Sequence, residues 1–520
     1  MTLFNETLNG KDSKNISVNM NGQSNLSAVS KAEAIQGWLI DKLAEVLEIE
    51  PNQIDVGQDF EEYGLESAEA INLSGDLEDY LGCRLPPTLL WDYQNIETLA
   101  QYLANGNLAA AQNGSTVQSL PDLDSGYELT IPPENYQFAE FPEYKKLLAQ
   151  REQIQSLGNG NPFFVPQEGI ANDRTTVNGR ELINFATYNY IGMCGDPQVT
   201  QAAKDAAEQY GTSACASRLI SGEKPLHREL ERELADFIGV EDSIVLVGGH
   251  ATNVTTIGHL FGKGDLVIYD SLSHNSILQG CFLSGASLIA FPHNDVAALE
   301  KILSDRRHRY QRVLIVIEGV YSTDGDIANL PPVVKLKRKY KTFLMVDEAH
   351  SIGAIGSTGR GISEYYHLDP NDIDIWMGTL SKSFASCGGY IAGSAALVDY
   401  LKYTAPGFVF SVGMSPPNAA ATLAAVRVLK AKPERATTLQ ARAKLFLNLA
   451  KEKGLDTGMS QDSPVIPIIV GDSLKSIQLS QNLFQRGINV PFMIYPSVPQ
   501  NGARLRFFIT CNHTESQIKS

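Results

Sequence analysis

The run Phe343-Leu344-Met345-Val346-Asp347 constrains the fold of this chain more than any other stretch. It has the length of a strand and is apolar at successive positions, so both faces of that strand must be covered. It ends in an acid, and His350 follows three residues later. Around it, from residue 198 to 405, helical and strand patterns alternate. Helices are expected at 198–209, 226–238 and 295–304, and strands at 243–247, 266–269, 287–291, 312–317 and 343–347. The alternation predicts an α/β fold, a mostly parallel sheet with helices on both faces. Ligands of such sheets gather at the carboxyl ends of the strands, where Asp347 and His350 stand.

Downstream lies Gly378-Thr379-Leu380-Ser381-Lys382-Ser383, followed by Cys387-Gly388-Gly389-Tyr390. Lys382 sits among small residues that leave room for a bulky group on its amine. An acid, a histidine and a lysine in this order suit pyridoxal phosphate, which needs a lysine for its Schiff base and an acid against its pyridinium nitrogen. The acid keeps the ring protonated because a nearby opposite charge favours the charged form. Val247-Gly248-Gly249-His250-Ala251-Thr252-Asn253 ends a strand and opens a helix, and its freed backbone N–H groups can hold a phosphate. Asp270-Ser271-Leu272-Ser273-His274 follows another strand. In Glu318-Gly319-Val320-Tyr321-Ser322-Thr323-Asp324-Gly325-Asp326, the two aspartates are expected to serve a tight turn. Glu348 is expected to matter for local structure.

At these residues the chain resembles the α-oxoamine synthases, which include aminooxononanoate synthase, 2-amino-3-ketobutyrate ligase, aminolevulinate synthase and serine palmitoyltransferase. The resemblance runs from about residue 135 to the C-terminus. The Ser-Lys-Ser form and its spacing to the glycine pair look more like the serine palmitoyltransferase branch. Asn189-Tyr190-Ile191-Gly192 is similar to the family's Asn-Tyr-Leu-Gly. The resemblance implies a fold-type I pyridoxal phosphate transferase, with a large domain at about 185–405, a small α+β domain at about 406–520, and a homodimer with shared active sites. It implies that Lys382 bonds the cofactor, Asp347 meets the ring nitrogen, His274 stacks on the ring, and His350 and Ser322 approach the phenolic oxygen. Gly249, His250 and Thr379 would hold the phosphate, with His250 standing where the family has an aromatic residue. Ser411 would reach the partner subunit's phosphate. Arg506, on a strand near Tyr495-Pro496-Ser497, would bind the substrate carboxylate with its planar fork. The chain lacks the additional arginine that some members carry near Ile494. Family members usually continue with a full helix past the His513-Thr514-Glu515 start, so the end at Ser520 is expected to be a truncation.

The rest of the C-terminal part reads as follows. Phe141 to Leu157 is expected to form a leading helix and Asn178-Gly179-Arg180 a hairpin turn. Helices are expected at Ala419–Leu429 and Ala441–Lys453, with strands at Val465–Val470 and Arg504–Ile509.

The N-terminal part has a different character. Residues 1–30 are rich in Asn, Ser and Gly and are expected to be a disordered tail, with Ser30 capping the next helix and Glu33 completing a capping box. Residues 31–104 read as a separate all-α unit of four helices. Ile35, Leu39, Leu43, Val46 and Leu47 recur at helical spacing. A second helix opens near Ser67 and stops at Gly82, Leu89-Leu90-Trp91 is a short helical turn, and Ile96–Leu103 is the last helix. The second helix is rich in acids. Ser67 alone is a preferred helix cap, but the four-helix order, the acidic face and Gly64-Leu65-Glu66-Ser67 resemble the phosphopantetheine attachment site of an acyl carrier protein. Carrier proteins often have Asp before this serine and Leu after it, where this chain has Glu66 and Ala68. Residues 105–130 are an aperiodic linker of Gly, Ala, Gln, Ser, Asn and Pro. As a flexible coil, its ends lie ~25–30 Å apart, a tether that gives effective concentrations of order mM.

At ~150 residues per domain, 520 residues suggest about three domains. The net charge of −17 argues against nucleic-acid partners, which need a basic face. The six cysteines form no Cys-x-x-Cys pair, so neither a metal site nor a disulfide framework is indicated. No signal peptide or membrane span is read, and a cytoplasmic protein is expected. The resemblance implies decarboxylative condensation of an amino acid with an acyl thioester carried on the fused carrier. It also implies as partners a phosphopantetheinyl transferase and an acyl-loading enzyme. Two alternatives stay open: an aminotransferase or other fold-type I reaction on a carrier-bound substrate, and a non-catalytic docking module.

Overall fold

The computed structural model describes residues 28–47, 49–60, 63, 67–83, 85, 89–93, 95–104, 131–155 and 161–520. The tail before residue 28 and the linker 105–130 lie outside the described residues. The chain divides into two compact units near Gly126.

The N-terminal unit contains α1 (Ala28–Leu47), α2 (Ser67–Leu81), the single turn α3 (Leu89–Asp92) and α4 (Ile96–Ala104). Its core is one apolar cluster: Ile35, Leu39 and Leu43 of α1 meet Leu73 and Leu77 of α2, Leu89 and Leu90 of α3, and Ile96, Leu99 and Leu103 of α4. The i, i+4 spacing on α1 puts its three residues on one stripe. Two expectations fail here. Val46 is 40% exposed, because Leu47 packs against the core in its place. Ser30 lies inside α1 and is not its cap; the helix runs back through Ala28, the strongest helix former.

The second unit opens with α5 (Pro142–Gln155) and the hairpin β1 (Arg174–Val177) and β2 (Arg180–Asn184). Next come α6 (Pro197–Tyr210), α7 (Pro225–Ile238), β3 (Asp242–Leu246), α8 (Gly249–Leu260), β4 (Leu266–Asp270), α9 (Asn275–Ser284) and β5 (Ser287–Phe291). The chain continues through α10 (Val296–Arg306), β6 (Val313–Glu318), α11 (Leu330–Tyr340), β7 (Phe343–Asp347), β8 (Ile375–Thr379) and β9 (Gly389–Gly393). Strands β3 to β9 form one sheet in the order β3-β9-β8-β7-β6-β4-β5. Its centre, β4-β6-β7-β8, is parallel, while β9 runs antiparallel to both β8 and β3. Every residue of β4 and β6 is buried, as strands covered on both faces must be.

The C-terminal segment adds helices Pro416–Ala431 and Glu434–Glu452, then β10 (Val465–Gly471), a helix at Ser473–Gln485, β11 (Ile488–Asn489), β12 (Phe492–Met493) and β13 (Ala503–Phe508). β13 lies between β10 and β12, antiparallel to both. β11 pairs in parallel with β2, joining this segment to the hairpin at the start of the unit. Glu515–Lys519 is a short helix capped by Thr514. Among the described residues, no helix is long and apolar enough to cross a membrane.

Candidate active site

Because β4, β6, β7 and β8 are parallel, their carboxyl ends share one edge of the sheet. Each ends in a polar residue: Asp270, Glu318, Asp347 and Thr379. Glu318 stands in register beside Asp347. The two buried carboxyls are held differently. Asp347 Oδ1 accepts the Ala349 N–H at 2.9 Å, and Oδ2 accepts the Asn253 side-chain amide at 2.8 Å. Two donors on one carboxylate fix its orientation. Among the described residues, Glu318 Oε1 accepts only the His274 N–H, at 2.5 Å. Burial pushes the Glu318 carboxyl well above the usual carboxylate range, and the charge of Asp347 pushes it further.

Asn253 lies on α8, one turn after Gly249, and also donates to Ser276 Oγ at 2.9 Å. His274 caps α9. Its Nδ1 accepts the Ser276 N–H at 3.2 Å, so in the neutral ring the proton sits on Nε2. Burial lowers the His274 pKa, and Lys382, His250 and Arg506 lower it further against the pull of Asp347. His350 is buried, with Nδ1 2.7 Å from the hydroxyl of the fully buried Tyr190. Burial, then Lys382, Arg506 and His274, hold His350 well below the ordinary histidine value. Both rings are therefore neutral at physiological pH.

Lys382 lies in the loop between β8 and β9. Its side chain is half-buried, with Nζ 5.6 Å from the centre of the Tyr188 ring. Burial, aided by Arg506 and opposed by Asp347 and Glu318, brings its pKa down to about 8. The loop closes on itself through Leu380 N–H to Gly388 O and Ser386 N–H to Leu380 O, both 2.9 Å. Gly378 is required beside it, because a Cβ there would lie 2.4 Å from the Tyr390 ring.

At the N-terminus of α8, Gly249 faces Thr379. A Cβ on Gly249 would come within 2.7 Å of Thr379 Oγ1, so glycine keeps this cradle open. His250 is exposed in the first turn of α8. Arg506, on β13, donates from Nη1 to Ser322 O at 2.7 Å, and its guanidinium stacks 4.6 Å from the centre of the Phe508 ring. Its Nε is buried without a partner among the described residues, a fork with one prong unused. An acid oriented by two donors, an amine of lowered basicity and an open cradle at a helix N-terminus fit pyridoxal phosphate.

The family described as aminotransferase class I and II matches residues 180–520, and the phosphopantetheine attachment site family matches residues 37–103. The 8-amino-7-oxononanoate synthase of Thermoanaerobacter pseudethanolicus is 37% identical over 68% of this chain and 88% of its own length. Serine palmitoyltransferase 3 of Caenorhabditis elegans is 37% identical over 65% of this chain and 69% of its own. A high-resolution structure of SPT with PLP superposes with a TM-score of 0.70 at 32% identity, covering 72% of this chain and 95% of that one.

This chain belongs to the class I and II aminotransferase family, among the α-oxoamine synthases. It is a pyridoxal phosphate-dependent enzyme of fold type I that carries a phosphopantetheine-binding module.

The synthase fold thus brings Asp347, His274, His350, Lys382, Gly249, Thr379, Ser322 and Arg506 to one edge of the sheet. Ser411 stands apart: among the described residues, no hydrogen bond joins its side chain to the others, and its neighbour Phe410 is 86% exposed. The expectation that Asp324 and Asp326 serve only a turn is corrected. Gly325 does turn the chain, with φ of +70°, but Asp324 is buried in an ion pair with Arg504, and Asp326 binds His293. Asn253, Tyr190 and Glu318 went unrecognised as site residues. Each stands inside a motif legible in the sequence: Asn253 one helical turn after the glycine of the cradle, Tyr190 in Asn189-Tyr190-Ile191-Gly192, and Glu318 at the end of its strand.

Proposed function

We propose that this synthase joins an amino acid to an acyl thioester carried on a phosphopantetheine arm at Ser67, releasing carbon dioxide and the thiol and leaving an α-amino ketone. The observation that carries this reading is the presence, on one chain, of an attachment module and an α-oxoamine synthase. α2 opens at Ser67, and a phosphodiester there is favoured by the helix N-terminus by ~0.3–1 kcal/mol. Residues 31–104 act as the carrier, 105–130 as its tether and 131–520 as the synthase.

When bound, pyridoxal phosphate supplies the Schiff-base link and a protonated ring that accepts the electron pair released at the amino acid's α-carbon. Lys382 bonds the cofactor at rest. Its free amine, with a pKa near 8, takes the α-proton. The α-carbon then bonds to the thioester carbonyl carbon, the C–S bond breaks and the thiolate takes a proton from solvent. The carboxylate leaves as carbon dioxide, and Lys382 returns its proton to the α-carbon. Asp347, held by Asn253 and Ala349, would pair with the positive ring nitrogen. His274 would cover the ring, with its Nε2–H free for a substrate oxygen. His350 and Ser322 would hold the phenolic oxygen. Gly249, His250 and Thr379 hold the phosphate, and Arg506 binds the amino acid's carboxylate. Ser411 serves the partner subunit's site in a homodimer. A phosphopantetheinyl transferase and an acyl-loading enzyme prepare Ser67.

The test is product mass. With acyl groups loaded on the arm and pooled amino acids supplied, the expected product has the mass of the acyl group plus the amino acid less carbon dioxide. Ser67→Ala should abolish it while leaving bound cofactor unchanged. Turnover of carrier-supplied acyl groups by Ser67→Ala would overturn the carrier role, and a keto acid formed without carbon dioxide would make the enzyme an aminotransferase.

A further inference from the structure

His293 lies between β5 and α10, away from the groups that would touch cofactor or substrate. It is nonetheless held by a carboxylate at each ring nitrogen. Nδ1 is 2.8 Å from Asp270 Oδ1, and Nε2 is 2.8 Å from Asp326 Oδ2. Both carboxylates are buried. A neutral imidazole has one N–H and could satisfy only one of them, so the geometry requires the doubly protonated ring.

Each carboxylate organises a different loop of the site. Asp270 ends β4. Its Oδ1 also accepts the Leu272 N–H at 2.9 Å, and its own carbonyl accepts the Ser273 N–H at 2.9 Å. These bonds shape the short segment that delivers His274. Asp326 closes the turn that carries Ser322, through Tyr321 N–H to Asp326 O at 3.0 Å, and the carbonyl of Ser322 holds Arg506. Asn294 reinforces the junction, with its backbone N–H on Asp270 Oδ2 at 2.9 Å and its side-chain amide on Asp326 Oδ2 at 2.8 Å.

We propose that His293 is a positioning residue: as a cation bridging Asp270 and Asp326, it fixes the spacing between the His274 loop and the Ser322 turn, and so between the ring-covering imidazole and Arg506. The inference rests on the proposed roles of His274, Ser322 and Arg506. The groups facing His293 are Asp270 from β4, Asp326 from the turn after β6, and the Tyr321 ring, edge-on at 4.5 Å; Glu318 lies beyond, influenced by Asp270. The two carboxylates outweigh the burial that would lower the His293 pKa, and raise it to about 10. The bridge therefore holds across the neutral range.

The experiment compares the full chain, loaded with pyridoxal phosphate, with His293→Gln and Asp326→Asn. Glutamine cannot donate to both carboxylates, whereas Asp326→Asn keeps an acceptor for Nε2–H and loses only the charge. For His293→Gln, kcat is expected to fall by up to about 100-fold, the scale of a 1 Å misplacement near the chemistry. KM for the amino acid should rise, and the visible circular dichroism per bound cofactor should shrink at unchanged stoichiometry. Asp326→Asn should show the same changes to a smaller extent. The dichroism needs no acyl substrate, so it decides the inference even if the carrier reading fails. Folded variants with wild-type kcat and wild-type dichroism per bound cofactor would overturn it, as would losses that follow only the folded fraction. If His293→Gln does not fold, an unchanged Asp326→Asn overturns it alone.

Discussion

The carrier unit and the synthase unit present their reactive groups by opposite means. In its proposed role, Ser67 needs only the start of one helix, in a unit built on an apolar cluster from four helices. The environment of Lys382 is composed by Asp347, Glu318 and Arg506, which come from three different strands. An arm that swings to its substrate asks its attachment point for exposure and little else. A fixed cofactor asks for groups that converge, and convergence of charges in a buried place is costly unless each is paired. The synthase meets that requirement by keeping the His274 and His350 imidazoles neutral and by giving Asp347 two donors.

The contrast can be broken most severely at Lys382. Lys382→Ala should lower turnover by ~10³-fold or more, at the upper end of what a positioned proton carrier contributes. The mass of the carrier unit should still rise on modification by a phosphopantetheinyl transferase. Loss of that modification would show that the two units do not function separately. The reciprocal break is Leu77→Ala. Leu77 is fully buried, so its truncation should destabilise the carrier unit by about 2–5 kcal/mol. Calorimetry should show one transition moving and the other staying, and turnover of a soluble acyl thioester should be unchanged.

Smaller changes sharpen the picture of the synthase site. Arg506→Ala should raise KM for the amino acid by about 10- to 100-fold, the worth of hydrogen bonds to a charged group, with a smaller effect on kcat; steady-state kinetics would check it. Asn253→Ala takes one donor from Asp347 and should lower kcat by about tenfold, with a shift in the absorbance of the bound cofactor. The smallest effect is that of pH. In the proposed mechanism Lys382 acts as the free amine, and burial lowers its pKa from 10.5 to about 8. The rate should therefore rise with pH and level off above 8, with a gain of about fivefold between pH 7 and 8 from the neutral fraction. A rise centred near 10.5 would mean that the amine is not desolvated in the working enzyme.

Much of the fold was legible because its signals are short-ranged. The expected strands at 266–269, 312–317 and 343–347 match β4, β6 and β7 to within a residue, since an apolar run marks a buried strand regardless of its neighbours. β8 and β9 were not read. Ile375-Trp376-Met377-Gly378-Thr379 and Gly389-Tyr390-Ile391-Ala392-Gly393 carry glycines that strands generally avoid, and those glycines are explained only by what crosses them, the Tyr390 ring at Gly378 and Thr252 at Gly389. The same holds for the site. Lys382, Asp347 and His274 stand in recognisable local settings. Tyr190 meets His350 across 160 residues, and Asn253 meets Asp347 across 94.

The sequence by itself determined most of the order of helices and strands, the division into an acidic helical unit and an α/β unit, and the motifs proposed to carry the chemistry. Those properties follow from hydrophobic period, turn residues and motif spacing, all local along the chain. The tertiary structure decided how the groups titrate: which carboxyl is pushed up, which imidazole is a cation, how basic the lysine is. Protonation depends on burial and on charges a few ångström away, and those neighbours come from strands and loops that only the folded sheet places side by side.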